Sequence, residues 1–203
     1  MTYLKQLNFI FLNKFLAVLC LLPLIVLLTR LFIGDGLVNP VEEMTHSTGW
    51  WALTLLTLTL TITPVKLIIG IPKLIIFRRT LGLFSFLYAI LHFLIWIIID
   101  QFLSWKEIVL DVFERPFITV GFGAFILMVP LAVTSWPRVN KKISYASWTK
   151  LHKLIYPAAV LALIHFLWLV KKDITEPLIY MLIIFCLFAF RFATWFWNRV
   201  FNK

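Results

Sequence analysis

The stretch "LGLFSFLYAILHFLIWIIID", residues 81–100, runs without a charged side chain until its last residue. Twenty residues of α-helix rise about 30 Å, the thickness of a bilayer's hydrocarbon core. The apolar side chains are continuous and do not alternate, so the stretch reads as a membrane-crossing helix and not as a barrel strand, whose two faces would differ. One titratable residue, His92, sits near its middle. Lipid offers an imidazole no partner, so His92 must find one inside the protein.

The rest of the chain has the same character. Of its 203 residues 62% are hydrophobic, with a mean hydropathy of +0.98, more apolar surface than a soluble domain of this size can bury. Apolar runs lie at about residues 9–33, 48–65, 81–100, 116–135, 152–170 and 177–197, each near the ~20 residues a span needs. The expected fold is an all-α membrane protein, a six-transmembrane-helix bundle forming one domain over residues 1–203. The first run has no small-residue cleavage site after it and is expected to be a span, not a signal peptide. The second is the least apolar: Thr54, Thr57, Thr59, Thr61 and Thr63 interleave with leucines before Pro64. Such hydroxyls bond back to their own helix or across to a neighbour.

Charge is segregated between alternate loops. Lys66, Lys73, Arg78 and Arg79 follow the second run, and Arg138, Lys141, Lys142 and Lys150 follow the fourth. Lys5, Arg199 and Lys203 lie in the tails. The remaining loops hold Asp35, Glu42, Glu43, Asp100, Glu107, Asp111 and Glu114. The positive-inside rule then places both termini and the basic loops in the cytoplasm, as expected of a multi-pass protein of a bacterial inner membrane. The net charge of +10 is the sum of these scattered loop residues and forms no nucleic-acid-binding face. Trp50, Trp51, Trp105, Trp136, Trp148, Trp195 and Trp197 fall near span ends, as in an aromatic belt. Cys20 and Cys186 are isolated in apolar runs and read as packing residues.

Three of the four histidines, His92, His152 and His165, lie inside the apolar runs. No second His or Cys stands three or four residues away to complete a zinc site, and no chain of carboxylates accompanies them as in a proton pump. Isolated imidazoles on separate helices suit haem, whose porphyrin supplies four of the iron's ligands. His152 and His165 are about 20 Å apart along one helix, too far to share an iron. His92 matches the depth of His165, so these two form the expected axial pair, with His152 near the cytoplasmic surface. On an ideal helix His152 and His165 also point about 140° apart, and Pro157 between them is able to change that angle. No C-x-x-C-H attachment motif is present, so the haem expected is non-covalent haem b.

The stretches "HSTGWWAL" (46–53), "TPVK" (63–66), "RRTLGLFSFLYAILH" (78–92), "RPFITVG" (115–121), "PLAVTSW" (130–136), "WTKLHKLIYPAAVLALIHFLW" (148–168) and "EPLIY" (176–180) resemble, in order and spacing, the MsrQ (YedZ) family of the ferric-reductase-like transmembrane superfamily. The resemblance implies a b-type cytochrome that binds haem and FMN. It would carry electrons from the cytoplasmic side, from a flavin reductase or the quinol pool, to a periplasmic molybdopterin enzyme of the MsrP kind that reduces methionine sulfoxide in oxidised proteins. This would be an electron-transfer subunit, with substrate reduction on the partner. His92, His152 and His165 fall on the family's haem-associated positions, and His46, read as an outer-loop residue, on its H-x-T-G position. Larger relatives carry two histidines on the third helix; here Arg78, Arg79, Trp105 and Lys106 occupy the matching spacings. They also continue into a flavin and NADPH domain, whereas no glycine-rich dinucleotide fingerprint occurs here, so the expected donor is a separate molecule.

Arg78 and Arg79 read either as topology determinants or as holders of haem propionates or a flavin phosphate. Tyr88 and Tyr156, each four residues from a histidine, share its helix face and read as aromatic packing or porphyrin lining. The competing reading of the whole chain is a small non-haem transporter or assembly protein whose histidines only bond between helices.

Overall fold

The computed structural model describes residues 2–33, 39–170 and 172–201, with side chains from residue 9 onward. Asp35 and Lys203 lie outside the described residues, as does the side chain of Lys5. The chain is all-α: α1 (Thr2–Ile33), α2 (Pro40–Ile69), α3 (Ile75–Ile95) running into a π-helical turn at Trp96–Asp100, α4 (Trp105–Glu114), α5 (Pro116–Ser135), a four-residue α6 (Pro137–Asn140), α7 (Tyr145–Leu151), a 3-10 turn at His152–Leu154, α8 (Ile155–Leu169) and α9 (Thr175–Phe201). Six stretches are long and apolar enough to cross a membrane: Phe9–Ile33, Pro40–Ile69, Pro72–Asp100, Pro116–Ser135, Tyr145–Leu169 and Thr175–Phe201.

The second helix departs most from its expected bounds, 48–65. It starts at Pro40 because Asn39 caps it, its side chain accepting from the Glu42 N–H at 3.3 Å, and because proline is preorganised for the first helical position. It ends at Gly70, whose φ of 73° is the left-handed cap that glycine tolerates. His46 therefore lies on α2 and not in a loop, a correction to the sequence reading. Capping chemistry set the boundary, where hydropathy marked only the apolar centre.

α2 is the axis of the bundle. Its Leu55 packs with Cys20, Leu81 and Tyr88 of α1 and α3, its Leu56 and Leu60 with Met128, Ala158, Ala159 and Leu187 of α5, α8 and α9, and its Leu53 with Leu163 and Ile184. Each of Thr54, Thr57, Thr59 and Thr61 bonds back to the carbonyl four residues earlier at 2.7–2.9 Å. Thr54 also reaches across to the Tyr180 hydroxyl of α9 at 2.6 Å. These four hydroxyls are thus satisfied inside a helix that lipid could not solvate, whereas Thr63 Oγ1 is buried without a partner among the described residues.

The sequence reading had no helix in the connection between the third and fourth spans. α4 occupies the acidic connection after the third span, with Ile108 turned inward and Trp105 and Phe113 exposed. It is amphipathic, and too short to stand out by hydropathy. Tyr88 turns its ring toward α1, where its hydroxyl donates to the Cys20 carbonyl at 2.8 Å and accepts from the Leu24 N–H at 3.1 Å. Those two backbone groups are normally each other's partners. Pro23 between them distorts the helix, and the tyrosine fills the opening. Tyr88 is a packing residue here.

A paired-imidazole site and a basic cluster

At the end of the bundle that carries the acidic connections, α3 and α8 bring His92 and His165 together edge to face. The ring centres are 6.0 Å apart with planes at 80°. His92 Nδ1 lies 2.9 Å from the Thr45 carbonyl of α2, and His165 Nδ1 lies 2.7 Å from the Phe117 carbonyl of α5. A carbonyl only accepts, so both Nδ1 atoms carry the proton and both Nε2 atoms present a lone pair. Neither Nε2 has a hydrogen-bond partner among the described residues.

The same backbone device holds both rings. Gly49 stands four residues after Thr45, and Gly121 four residues after Phe117. In a helix the side chain at i+4 covers the carbonyl of residue i, because Cβ leans toward the N-terminus. A Cβ on Gly49 would come within 3.0 Å of the His92 ring, and one on Gly121 within 2.5 Å of the His165 ring. Glycine at these two positions leaves the carbonyl open and lets the imidazole lie against bare backbone.

The pair fits haem. Two imidazoles on one iron, at about 2.0 Å each, put their nitrogens about 4 Å and their ring centres about 6 Å apart. Among the described residues no three His, Cys, Asp or Glu side chains converge, so two protein ligands are what this site offers a metal. Nδ1 bonds to carbonyls are also the outer contacts that orient a ligating histidine and raise its basicity.

His152 is held differently, toward the opposite, basic end. Its Nε2 is 3.0 Å from Thr134 Oγ1. That hydroxyl gives its proton to the Pro130 carbonyl at 2.6 Å, so it accepts from His152 and the Nε2 carries the proton. Trp148 stacks on the ring at 3.9 Å. The 3-10 turn that contains His152 and Pro157 just beyond it interrupt the helix between His152 and His165. The structure separates His152 from the other two.

Around His152 lies a cluster of cations. Arg78, half-buried on α3, is within electrostatic reach of His152, Tyr156 and Arg191. Arg79 beside it is exposed, so the two arginines, one unit in the sequence reading, part company. Arg191 of α9, which the sequence reading passed over, donates from Nη1 to the Tyr156 hydroxyl at 2.8 Å and from Nη2 to the Leu60 carbonyl at 2.6 Å. Leu60 stands four residues before Pro64, which has no N–H, so its carbonyl has lost its helical partner. An arginine in the middle of an apolar run, and a proline four residues after a leucine, were the two legible signs of this contact. His46 is exposed on α2 and within electrostatic reach of His92.

Residues 48–163 match the family described as "Ferric reductase like transmembrane component". The protein-methionine-sulfoxide reductase heme-binding subunit MsrQ of Xanthomonas campestris pv. campestris is 46% identical over 165 residues, 80% of this chain and 72% of that protein. The subunit of the same name from Rhodospirillum rubrum is 43% identical over 174 residues, 86% of this chain and 84% of its own length. That from Ralstonia nicotianae is 43% identical over 162 residues, covering 79% and 74%. The six-helix architecture, the order of the matched segments and identity over most of both chains lead to one conclusion: the chain belongs to the MsrQ family of ferric-reductase-like transmembrane proteins.

Proposed function

We propose that this chain is the haem-binding electron-transfer subunit of a methionine sulfoxide reductase system in a bacterial inner membrane. The observation that carries the reading is the opposed pair His92 and His165, with both Nδ1 atoms tied to carbonyls and both Nε2 atoms free. These two residues would hold haem b. Bound there, haem supplies a one-electron Fe(III)/Fe(II) couple. The Thr45 and Phe117 carbonyls keep both rings in the ligating tautomer.

The basic connections set the direction: with both termini and the basic end in the cytoplasm, electrons enter near His152 and leave near His92 and His165. The donor is a cytoplasmic flavin reductase or quinol, and the acceptor a periplasmic molybdopterin subunit of the MsrP kind, which reduces the sulfoxide. The names of the relatives support the reductase partnership. Exposed His46 lies where the periplasmic partner would approach. FMN belongs at the basic end, where Arg78 is the better placed of the two arginines to meet its phosphate. For His152 to ligate a second haem through Nε2 it must give up its bond to Thr134, so a second haem is the weaker part of the assignment. The whole chain acts as one domain.

The competing reading, histidines that serve only as bonds between helices, accounts for the three hydrogen bonds but leaves the unbonded Nε2 atoms of two adjacent rings without a role. Pyridine haemochrome analysis of protein purified from haem-replete cells decides between them: non-covalent protohaem is expected, and a colourless preparation would sink the haem assignment. His92→Ala and His165→Ala should each abolish the same low-spin signal, while His152→Ala leaves it standing.

A further inference from the structure

α4 divides its circumference three ways. At about 100° per residue, Ile108 and Val112 share one sector, and Ile108 is buried against the bundle. Glu107, Asp111 and Glu114 share a second, polar sector. Trp105, Val109 and Phe113 share a third, apolar and exposed, with Leu110 at its margin. Trp105 is 75% and Phe113 82% exposed among the described residues. Lys106 is the one charge in that sector, on a stem long enough to carry its ammonium to water. A surface helix of a soluble protein needs two sectors, one for the core and one for water. Here the third calls for an apolar solvent.

The residues just before α4 add to the same surface. Phe102 and Leu103 take left-handed backbone, with φ of 47° and 58°, a conformation that bulky side chains rarely adopt. Strain of this kind persists only where the surroundings over-determine it. Yet the described residues leave Phe102 83% and Leu103 57% exposed. The surface continues one that faces lipid. On α3, exposed Leu94 and Ile98 stand at four-residue spacing ahead of Phe102. On α5, exposed Phe122 and Ile126 prolong a stripe that begins at Thr119, and the Thr119 hydroxyl donates to the Val112 carbonyl of α4. α4 is thus fixed to the rim of the lipid-facing surface, between the spans Pro72–Asp100 and Pro116–Ser135.

We propose that α4, with Phe102 and Leu103, is a lipid anchor lying in the plane of the membrane–water interface at the acidic end of the bundle. Ile108 packs on the bundle, Trp105, Val109 and Phe113 enter the boundary between headgroups and acyl chains, and the carboxylates stay in water. In-plane amphipathic helices bury their apolar face about 5–10 Å into that boundary, and tryptophan rings favour it. The occupant is lipid because the apolar stripes on both sides of α4 are those of membrane spans. Three carboxylates on the polar sector make the attachment an apolar one that needs no anionic headgroup. Thr119 stands two residues beyond Phe117, whose carbonyl holds His165, so the anchor steadies the turn that orients that ring. The anchor goes beyond the functional reading above and stands without haem.

Spin labels on full-length protein in phosphatidylcholine nanodiscs test it. In a Cys20→Ala, Cys186→Ala background, single labels replace exposed side chains at Trp105→Cys, Val109→Cys and Phe113→Cys, and at Glu107→Cys and Glu114→Cys. The ratio of oxygen to nickel-chelate collision rates should be at least about fivefold higher at the three apolar positions than at the two acidic ones, at depths of about 5–10 Å. Similar ratios at all five positions put the apolar sector in water and overturn the anchor. Protection of the apolar positions from both reagents, in discs holding one copy, means that protein covers them and equally overturns it. Quenching of Trp105 by brominated phosphatidylcholine, taken as the difference between wild type and Trp105→Phe, reads the same depth without a label. It decides wherever a labelled variant fails to fold, and its absence overturns the anchor.

Discussion

At the scale of single residues, the site depends on two absent side chains as much as on two imidazoles. Gly49 and Gly121 each leave uncovered the carbonyl that orients a histidine four residues' rise away, and the clearances differ: 3.0 Å to the His92 ring and 2.5 Å to the His165 ring. Gly121→Ala must therefore displace its ring and break the bond to Phe117, whereas Gly49→Ala requires only a few tenths of an ångström. Losing an orienting contact of this type costs about 10–100-fold in metal-site affinity. The expected result is a haem-to-protein ratio strongly reduced in Gly121→Ala and nearly kept in Gly49→Ala, read from reduced-minus-oxidised spectra. The reverse order would show that the rings are not held by these carbonyls. Thr134 makes the opposite case. Its hydroxyl holds the His152 Nε2, and Thr134→Val should leave the His92–His165 low-spin signal intact while freeing His152. Any change in that signal would contradict the separation of the two sites.

At the scale of elements, prolines open helices and side chains from neighbouring helices close them. Pro64 orphans the Leu60 carbonyl, and Arg191 takes it up. Pro23 distorts α1, and the Tyr88 hydroxyl enters between Cys20 and Leu24. Both contacts tie an irregular backbone to one packing arrangement, α9 on α2 and α3 on α1. Their costs when removed should differ. In Tyr88→Phe the Leu24 N–H and Cys20 carbonyl can bond directly to each other, so a loss of about 0.5–1 kcal/mol is expected, in line with interhelical bonds in membranes. In Arg191→Leu no helical N–H exists to rescue the Leu60 carbonyl, and a buried unsatisfied acceptor costs about 1–3 kcal/mol. Thermal or denaturant unfolding in a fixed detergent should rank Arg191→Leu below Tyr88→Phe. The removal of an unbalanced charge works against this ranking, so an Arg191→Leu more stable than wild type would show that charge outweighs the carbonyl.

At the scale of the whole molecule, charge is polarised along the bundle axis. The described carboxylates occupy one end and the described Lys and Arg residues are concentrated at the other; of the four described bases at the acidic end, Lys106, Lys172, Arg30 and Arg115, the two arginines are ion-paired, Arg30 to Glu43 at 2.6 Å and Arg115 to Asp111 at 3.2 Å. Reporter fusions after Lys142 should accordingly be cytoplasmic, and fusions after Glu43 or Asp111 periplasmic. The inverse pattern would reverse the direction of electron flow proposed for the chain. The imidazole pair lies toward the acidic end and Arg78 toward the basic end, with Arg78 and His92 about 20 Å apart along α3. An electron entering beside one has most of the bilayer to cross before it reaches the other.

The number of membrane spans followed from the amino-acid sequence alone, because a run of twenty apolar residues has no other stable state in a bilayer and the charge of each connection is a local property. The closeness of His92 to His165 was also legible, since depth along a helix is a matter of counting residues. What counting could not supply was which backbone each ring would meet. Thr45, Phe117, Gly49 and Gly121 are unremarkable where they stand, three of them in stretches that resemble the family without declaring a role. They become an orienting pair only when α2 and α5 are packed beside α3 and α8. Arg79 was as prominent as Arg78 in the sequence, and only packing turned one outward and the other in. Arg191 sat unnoticed because its partner is a carbonyl made available by a proline 127 positions away in the chain. Local physics, in short reach along the chain, decided the spans; contacts between distant segments, which exist only once the helices are assembled, decided what each polar group inside them is bonded to.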